Sequence, residues 1–236
     1  MANVAVHLDD WIKRDRQGFN RKEHLISDAL VNFTTGMLNK VDESTRRDVF
    51  YMLVFCLLVP QSRQSEAEKV CDKLRTLKYY EEDIPIKQLS EILRGKVRFH
   101  NRKSEYIWKS REKFYRTDFW KILKQKSEEY HKSEKDVRYR VLLRARTWLI
   151  GEINGMSFKL ASHFLRNIGM RGLAILDVHI LRSMQERGLI ENYSPLTRDK
   201  YYNIEKKLQD YAKALEVGID ELDQLFWSNA TGYVGK

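Results

Sequence analysis

Cysteine and histidine are scarce in this chain. Two cysteines, Cys56 and Cys71, occur among 236 residues, so neither a disulfide framework nor a four-thiolate cluster can be built. The six histidines and these cysteines show no spacing of the kind that zinc requires, and we expect no metal site. The sequence therefore excludes small disulfide-stapled proteins and proteins organised around a thiolate-bound metal.

Long apolar segments are missing as well. The longest covers eleven residues, 49–59, and ends at Pro60, whereas a membrane-spanning helix needs roughly 20 apolar residues. This segment predicts a core helix. The first ten residues lack a basic region followed by an apolar one, so no secretory signal is visible. We expect an intracellular protein, in the cytoplasm or nucleoid, that does not associate with membranes.

Proline and β-branched alternation are rare, and apolar residues recur every three or four positions instead. This periodicity predicts an all-α protein. Besides the core helix and three apolar stripes before residue 94, helices are expected over 103–127, 135–152, 158–168, 178–187, 198–216 and 221–228. Side-chain oxygens that can accept hydrogen bonds at helix N-termini stand at Ser44 or Thr45, Asp177, Thr197 and Asp220.

Basic residues are in excess. The chain has 43 Lys and Arg against 33 Asp and Glu, a formal net charge of +10, with an ordinary hydrophobic content of 42%. A positive surface attracts phosphate groups by releasing condensed counterions, but it carries no base preference. The charge favours a nucleic acid as partner, with mere solubility as the alternative.

Two segments of the second half are the most informative. Residues 154–169 read NGMSFKLASHFLRNIG, with Lys159 just after a glycine-bearing turn, and residues 173–182 read LAILDVHILR, with Asp177 at a helix start. A turn of this kind between two helices exposes backbone amides in front of a helix N-terminus. A phosphate group can bind there without a long basic side chain.

With this continuation, the sequence resembles the helix-hairpin-helix superfamily of DNA glycosylases, most closely its type-2 8-oxoguanine DNA glycosylase/AP lyase branch. The resemblance runs from about residue 45 to the last residue. It implies two helical domains flanking a DNA-binding cleft: a central helical barrel over 45–172 that ends in the helix-hairpin-helix, and a second domain of 1–44 with 173–236. Gly155 matches the first hairpin glycine, whereas Ser157 stands where the branch usually has the second.

Lys159 and Asp177 are the expected catalytic pair. The resemblance implies that a neutral lysine attacks the sugar C1′, expels the base and forms a Schiff base, after which loss of a 2′ proton cleaves the strand. Burial or a neighbouring charge such as Arg166 must lower the lysine pKa. Asp177 is expected to stabilise the cationic sugar, to help deprotonate the amine and to cap its helix. Taken singly, a phosphate-contacting lysine and a plain N-cap explain the two residues equally well.

Lys159 cannot reach a sugar while its base is stacked in the duplex, so the nucleotide must rotate out and protein must fill the gap. Gln61, which follows the core helix, and Arg98 with Phe99 are the candidates for this. The alternatives are a loop-capping Gln61 and a core Phe99. His179 either contacts phosphate or sugar or satisfies only local hydrogen bonds.

The C-terminal segment predicts the base pocket. In the type-2 branch the terminal lysine and a tryptophan nine residues before it resemble working parts of that pocket, and Lys236 and Trp227 have this spacing. 8-Oxoguanine carries an N7 proton that a terminal carboxylate can accept, whereas guanine presents a repulsive lone pair there. The alternative is a buried structural tryptophan followed by a frayed tail.

The sequence thus predicts a bifunctional DNA glycosylase/AP lyase of base excision repair, acting as a monomer on double-stranded DNA that contains 8-oxoguanine or abasic sites. No cofactor is implied, and the lack of C-terminal cysteines excludes the iron–sulfur branches of the superfamily in their usual form. One rival keeps the chemistry and changes the oxidised base. The other is a non-catalytic helix-hairpin-helix DNA-binding module.

Overall fold

A computed structural model of the chain describes residues 2–34, 43–116, 118–194 and 196–234. Within these ranges the chain forms helices and no strand, which confirms the all-α prediction. The helices are α1 (Ala2–Thr34), α2 (Glu43–Leu58), α3 (Gln64–Thr76), α4 (Ile86–Leu93), α5 (His100–Arg116), α6 (Phe119–Lys132), α7 (Lys135–Glu152), α8 (Phe158–Asn167), α9 (Val178–Glu186), α10 (Arg198–Ala214) and α11 (Ile219–Thr231).

The expected helix over 103–127 is wrong, because this part of the chain forms two helices, α5 and α6. Phe119, at the start of α6, is 2% exposed and stacks on Trp148 of α7 with 4.8 Å between ring centroids. It also contacts Phe114 of α5, at 5.0 Å. A chain turn before Phe119 lets one ring pack against both neighbours, and this tertiary packing overrides the helical periodicity of the sequence.

Two predicted N-caps are confirmed. The carboxylate of Asp177 accepts the backbone amides of His179 and Ile180 at 2.9 and 3.0 Å, and the hydroxyl of Thr197 accepts that of Lys200 at 3.3 Å. Each cap supplies an acceptor for amides that have no partner within the helix. The start of α9 is therefore determined by Asp177 itself.

The other predicted caps are wrong. Helix α2 begins before Ser44 and Thr45, which lie in its first turn. Helix α11 begins at Ile219 with Gly218 as its N-cap, so Asp220 also lies in a first turn. The positive end of the helix dipole stabilises an acidic side chain both at the N-cap and in the first turn. The sequence alone therefore did not show which of these positions Asp220 occupies.

The chain folds into two compact units, one of Met1–Thr35 with Arg171–Lys236 and the other of Gly36–Met170. The domain limits expected from the sequence, 44/45 and 172/173, lie nine and two residues after the limits of these units. The helical barrel and the DNA-binding cleft remain predictions.

The core of the unit 36–170 is built on the predicted apolar helix. Val49, Phe50, Leu53 and Val54 of α2 are fully buried, and α3, α5 and α8 pack against this helix. No helix in the described ranges is both long and apolar enough to cross a membrane. The apolar segment thus supports the two helices, α5 and α8, that carry the candidate site.

A buried ion pair organises the other unit. The guanidinium of Arg187 donates to both carboxylate oxygens of Asp15, at 2.5 and 2.7 Å, and the Tyr211 hydroxyl donates to the same carboxylate at 2.7 Å. The guanidinium also lies 4.5 and 4.2 Å from the ring centroids of Trp11 and Phe226. Because a buried charge is tolerated only when it is paired, this cluster holds α1, α10 and α11 against the end of α9.

Candidate functional site

A helix-hairpin-helix motif occupies residues 135–167, where α7 and α8 pack together around a short turn. Gly155 in this turn has φ of 80°, a left-handed conformation that favours glycine. A Cβ atom at Gly155 would lie 2.3 Å from Cδ2 of Tyr106 on α5. Glycine is therefore required both by the backbone angle and by the packing of the hairpin on that ring.

Ser157 does not need to be a glycine. Its φ and ψ are −106° and 171°, an extended conformation open to any residue, and its hydroxyl caps α8 by accepting the amide of Leu160 at 3.3 Å. The serine that replaces the usual second hairpin glycine therefore introduces no backbone strain. Ser157 itself is exposed at the surface of the hairpin.

Lys159 is the second residue of α8 and is half-buried. Burial raises the pKa of the Cys56 thiol on α2, and the positive charges of Arg166 and Lys159 act in the opposite direction. Arg166 lies seven positions after Lys159, about two helical turns, so both lie on the same side of α8, toward α2. A buried arginine thus shares the face of the helix that carries the candidate nucleophile.

One cavity of about 410 Å³ in the unit 36–170 brings together the predicted site residues of that unit, with the exception of Arg98, which is not among its lining residues. This volume lies within the range of about 300–1,000 Å³ that is typical of small-ligand pockets. Its walls come from the turn after α2, from the start of α5 and from the hairpin. The sequence-predicted residues among its lining are Gln61, Phe99, Gly155, Ser157 and Lys159.

Gln61 and Phe99 share an unusual backbone conformation. Their φ angles are 54° and 57°, in the left-handed region that residues with a side chain rarely adopt. Phe99 is 54% exposed, so the alternative of a core phenylalanine is wrong. The guanidinium of Arg98 lies 5.5 Å from the centroid of the Phe99 ring, within the range of a cation–π contact. Strained residues of this kind cluster at functional sites.

Lys103 lines the same cavity, although the sequence did not single it out from the basic residues around it. It is 4% exposed, and burial lowers its pKa to about 8. The surrounding sequence is rich in Arg and Lys, a composition typical of a solvated helix face, so nothing in it distinguishes a buried lysine. Only the packing of α5 against the turn after α2 reveals it.

Asp177 lies in the other unit, together with His179 and Trp227. Asp177 is 8% exposed, and its carboxylate is engaged as the cap of α9. His179 is half-buried, and its backbone amide donates to Asp177. The cap interpretation of Asp177 is thus confirmed, and an electrostatic role for the same carboxylate remains a prediction.

Helix α10 holds the segment that leads into Asp177. Glu205, fully buried, accepts the backbone amide of Ala174 at 2.9 Å. The Tyr201 hydroxyl donates to the Ala174 carbonyl at 2.7 Å and accepts the amide of Leu176 at 3.4 Å. These contacts satisfy the buried backbone groups of an irregular segment. They thereby fix the position of Asp177, the residue that caps α9.

Trp227 is half-buried on α11, a helix that packs against α9. The structure brings Trp227 into the same unit as Asp177 but not among the residues that line the cavity of the other unit. Lys236, the second predicted base-pocket residue, lies outside the described residues. In the described ranges no group of His, Cys, Asp and Glu side chains is arranged to hold a metal ion.

Known proteins agree with this architecture. A family model described as 8-oxoguanine DNA glycosylase matches residues 32–217. The 8-oxoguanine DNA glycosylase/AP lyase of Fusobacterium nucleatum is 33% identical over 207 residues, covering 83% of this chain and 85% of the relative. The enzyme of the same name from Methanocaldococcus jannaschii is 27% identical over 226 residues, 95% of this chain and 99% of its own.

Solved structures are similar over nearly the full length. The crystal structure of the M. jannaschii 8-oxoguanine DNA glycosylase has a TM-score of 0.78 at 27% identity and covers 98% of both chains. The M. jannaschii glycosylase/lyase in complex with 15mer DNA containing 8-oxoguanine has a TM-score of 0.77 at 26% identity, over 96% of this chain and 99% of that one. Fold and hairpin define a helix-hairpin-helix DNA glycosylase. The chain belongs to the 8-oxoguanine DNA glycosylase family.

The hairpin glycine can be tested by a matched pair of substitutions. Gly155→Ala is expected to destabilise the protein by about 1–3 kcal/mol, because it combines a left-handed backbone with a clash against Tyr106. Gly151→Ala, in helix α7 with nothing within 4 Å of the added Cβ, is expected to be neutral or stabilising by up to about 1 kcal/mol. Urea unfolding monitored by circular dichroism measures both. Equal midpoints for the two variants would contradict the packing described here.

Proposed function

We propose that this protein is a bifunctional DNA glycosylase/AP lyase that excises 8-oxoguanine from double-stranded DNA and then cleaves the strand. The observation that carries the proposal is the position of Lys159. It stands at the start of α8, directly behind the hairpin, and lines a cavity together with Gln61 and Phe99. A non-catalytic DNA-binding hairpin requires no such cavity around a lysine.

DNA is held first by its backbone. The glycine turn and the N-terminal amides of α8 offer donors to one phosphate, and the partial positive charge of the helix end favours the anion. Gly155 keeps the turn free of a side chain, and Ser157 adds a hydroxyl that can donate. The net charge of +10 raises the affinity for any duplex without selecting a base.

Catalysis begins when the amine of Lys159 is neutral. Its electron pair attacks the sugar C1′, the bond from C1′ to the base breaks, and the base leaves with the bonding electrons and takes up a proton. The nitrogen loses a proton, the bond between C1′ and the ring oxygen breaks, the ring oxygen takes up a proton, and a protonated Schiff base joins C1′ to the lysine. Loss of a 2′ proton then expels the 3′ phosphate, and water finally releases the sugar fragment from the lysine.

Asp177 is proposed as the partner of Lys159. Its carboxylate stabilises the positive charge that develops on the sugar as the bond to the base stretches, and it accepts a proton during deprotonation of the amine. The cap of α9 holds the carboxylate in one orientation, which suits a group that must stabilise charge without reorganising. One chain supplies both residues, so we propose that the enzyme acts as a monomer.

Gln61, Arg98 and Phe99 are proposed to fill the gap that the rotated nucleotide leaves. Phe99 is exposed and flat, and can stack on a neighbouring base pair. Arg98 and Gln61 carry hydrogen-bonding groups toward the unpaired base opposite the lesion. His179, next to the cap of α9, is proposed to contact the DNA backbone.

The nucleophile can be identified by trapping the Schiff base with borohydride, which reduces it to a stable protein–DNA bond. Wild-type protein is expected to form the adduct with 8-oxoguanine duplex, and Lys159→Gln to lose it together with at least about a thousandfold in excision rate. Lys87→Gln, an exposed lysine on α4, is the control and keeps both. If the wild-type protein binds the duplex but forms no adduct, the result supports the non-catalytic DNA-binding module. If Lys159→Gln still forms the adduct, another residue is the nucleophile.

The charge of Asp177 can be separated from its cap. Asparagine is also a good N-cap, so Asp177→Asn is expected to keep the unfolding midpoint while the single-turnover excision rate falls by about a hundredfold or more. Thr197→Ala removes another observed cap and carries no charge, and is expected to lose about 1 kcal/mol of stability with no loss of excision. An Asp177→Asn enzyme with the wild-type rate would rule out the electrostatic role.

Base recognition is proposed to depend on Trp227 as an aromatic wall and on the terminal carboxylate of Lys236 as the acceptor for the N7 proton. Deletion of Lys236, or Trp227→Ala, is expected to lower excision of 8-oxoguanine by about tenfold or more, because the N7 proton or a face of the base loses its partner. Cleavage at a preformed abasic site should be unchanged. A panel of oxidised purine and pyrimidine lesions measures the selectivity, and an unchanged profile after the deletion contradicts the pocket.

A further inference from the structure

Lys103 is a buried cation beside the cavity, and the mechanism above gives it no task. Its Nζ donates to the carbonyl oxygens of Leu58 and Pro60, at 2.6 and 2.7 Å, and to the hydroxyl of Ser62 at 3.0 Å. An ammonium group has three N–H donors, and these three acceptors use all of them. The amine is therefore engaged as a cation and offers no free electron pair for attack on a sugar.

The hydroxyl of Ser62 links this lysine to a second turn. It accepts the backbone amide of Arg98 at 3.0 Å, besides the ammonium of Lys103, and lies 3.4 Å from the carbonyl oxygen of Pro60. The backbone amide of Lys103 in turn donates to the carbonyl of Phe99 at 2.9 Å. One lysine thus contacts the turn after α2 directly, and the turn before α5 through its own backbone and through Ser62.

Each of these turns presents one exposed residue in a strained conformation. Gln61 stands in the first turn and Phe99 in the second, both with φ in the left-handed region. Such a conformation persists where the surrounding bonds enforce it. The side-chain bonds of Lys103 reach the residues immediately before and after Gln61, and Ser62 extends them to the backbone amide of Arg98, the residue before Phe99.

We propose that Lys103 is a positioning residue that ties the Gln61 turn to the Phe99 turn, so that both side chains enter the DNA stack as one preset wedge. The inference rests on the proposed function, because a wedge is needed only where a nucleotide is rotated out of the duplex. A wedge whose two parts move independently fills the gap less well, and displacements of about 1 Å can lower rates about a hundredfold. The wedge acts before the chemistry, so its loss affects extrusion and not the attack of Lys159.

The test compares two substrates for Lys103→Met, which keeps an unbranched side chain and removes the ammonium. Single-turnover excision of 8-oxoguanine from duplex DNA is expected to fall by about tenfold or more. The fluorescence rise of a 2-aminopurine placed beside the lesion, which reports unstacking, is expected to be lost. Cleavage and borohydride trapping at a preformed abasic site, where no base has to be extruded, are expected to stay at the wild-type level.

Lys87→Met, an exposed lysine on α4, is the matched control and should behave as wild type in every assay. If Lys103→Met does not fold by circular dichroism, Ser62→Ala, which removes the acceptor shared by the two turns, is measured in the same way. Equal losses on both substrates in a folded variant, or unchanged excision and fluorescence, would overturn the proposal. Failure of the proposed function itself is recognised separately, because wild-type protein would then give no borohydride adduct.

Discussion

The candidate site depends on the contacts that two side chains of α5 make with the turn after α2 and with the hairpin. Lys103 and Tyr106 lie three residues apart on one face of this helix. The lysine binds carbonyl oxygens of the turn after α2, and the tyrosine ring packs so closely on the hairpin that only Gly155 fits against it. Because buried backbone groups must be satisfied and buried space must be filled, these two side chains determine where the turn and the hairpin meet.

The consequence is a cavity whose walls are irregular segments supported by regular helices. Loops position functional groups well only where a rigid scaffold holds them, and here the scaffold is α2, α5 and α8, with the apolar face of α2 at its centre. The other unit follows the same rule, since Tyr201 and Glu205 of α10 satisfy the segment before Asp177. In both units the candidate catalytic residue stands in the first turn of a helix or caps it, at the end where the helix dipole favours anions.

Much of the fold could be predicted because local patterns decide it. The 3.6-residue periodicity predicted α7 with its observed bounds and α8 and α9 to within one residue, and the cap chemistry of Asp177 and Thr197 was readable from their side chains. The prediction of a single helix over 103–127 was wrong, because no local sequence pattern indicates that Phe119 is buried between α5 and α7. A cap at Asp220 failed for a related reason, since first-turn and cap positions favour the same acidic residues.

The sequence by itself determined the helical class, the hairpin with Gly155, and the identities of Lys159 and Asp177 as candidates, because periodicity, turn chemistry and the local motif are properties of short segments. Only the tertiary structure decided that Gln61, Phe99 and Lys159, which together span nearly one hundred residues of the chain, line one cavity. It also decided that Lys103 is buried among carbonyl oxygens, although its sequence neighbours are typical of a solvated helix. Burial and long-range contacts are properties of the packed chain, and the pattern of neighbouring residues in the sequence does not predict them.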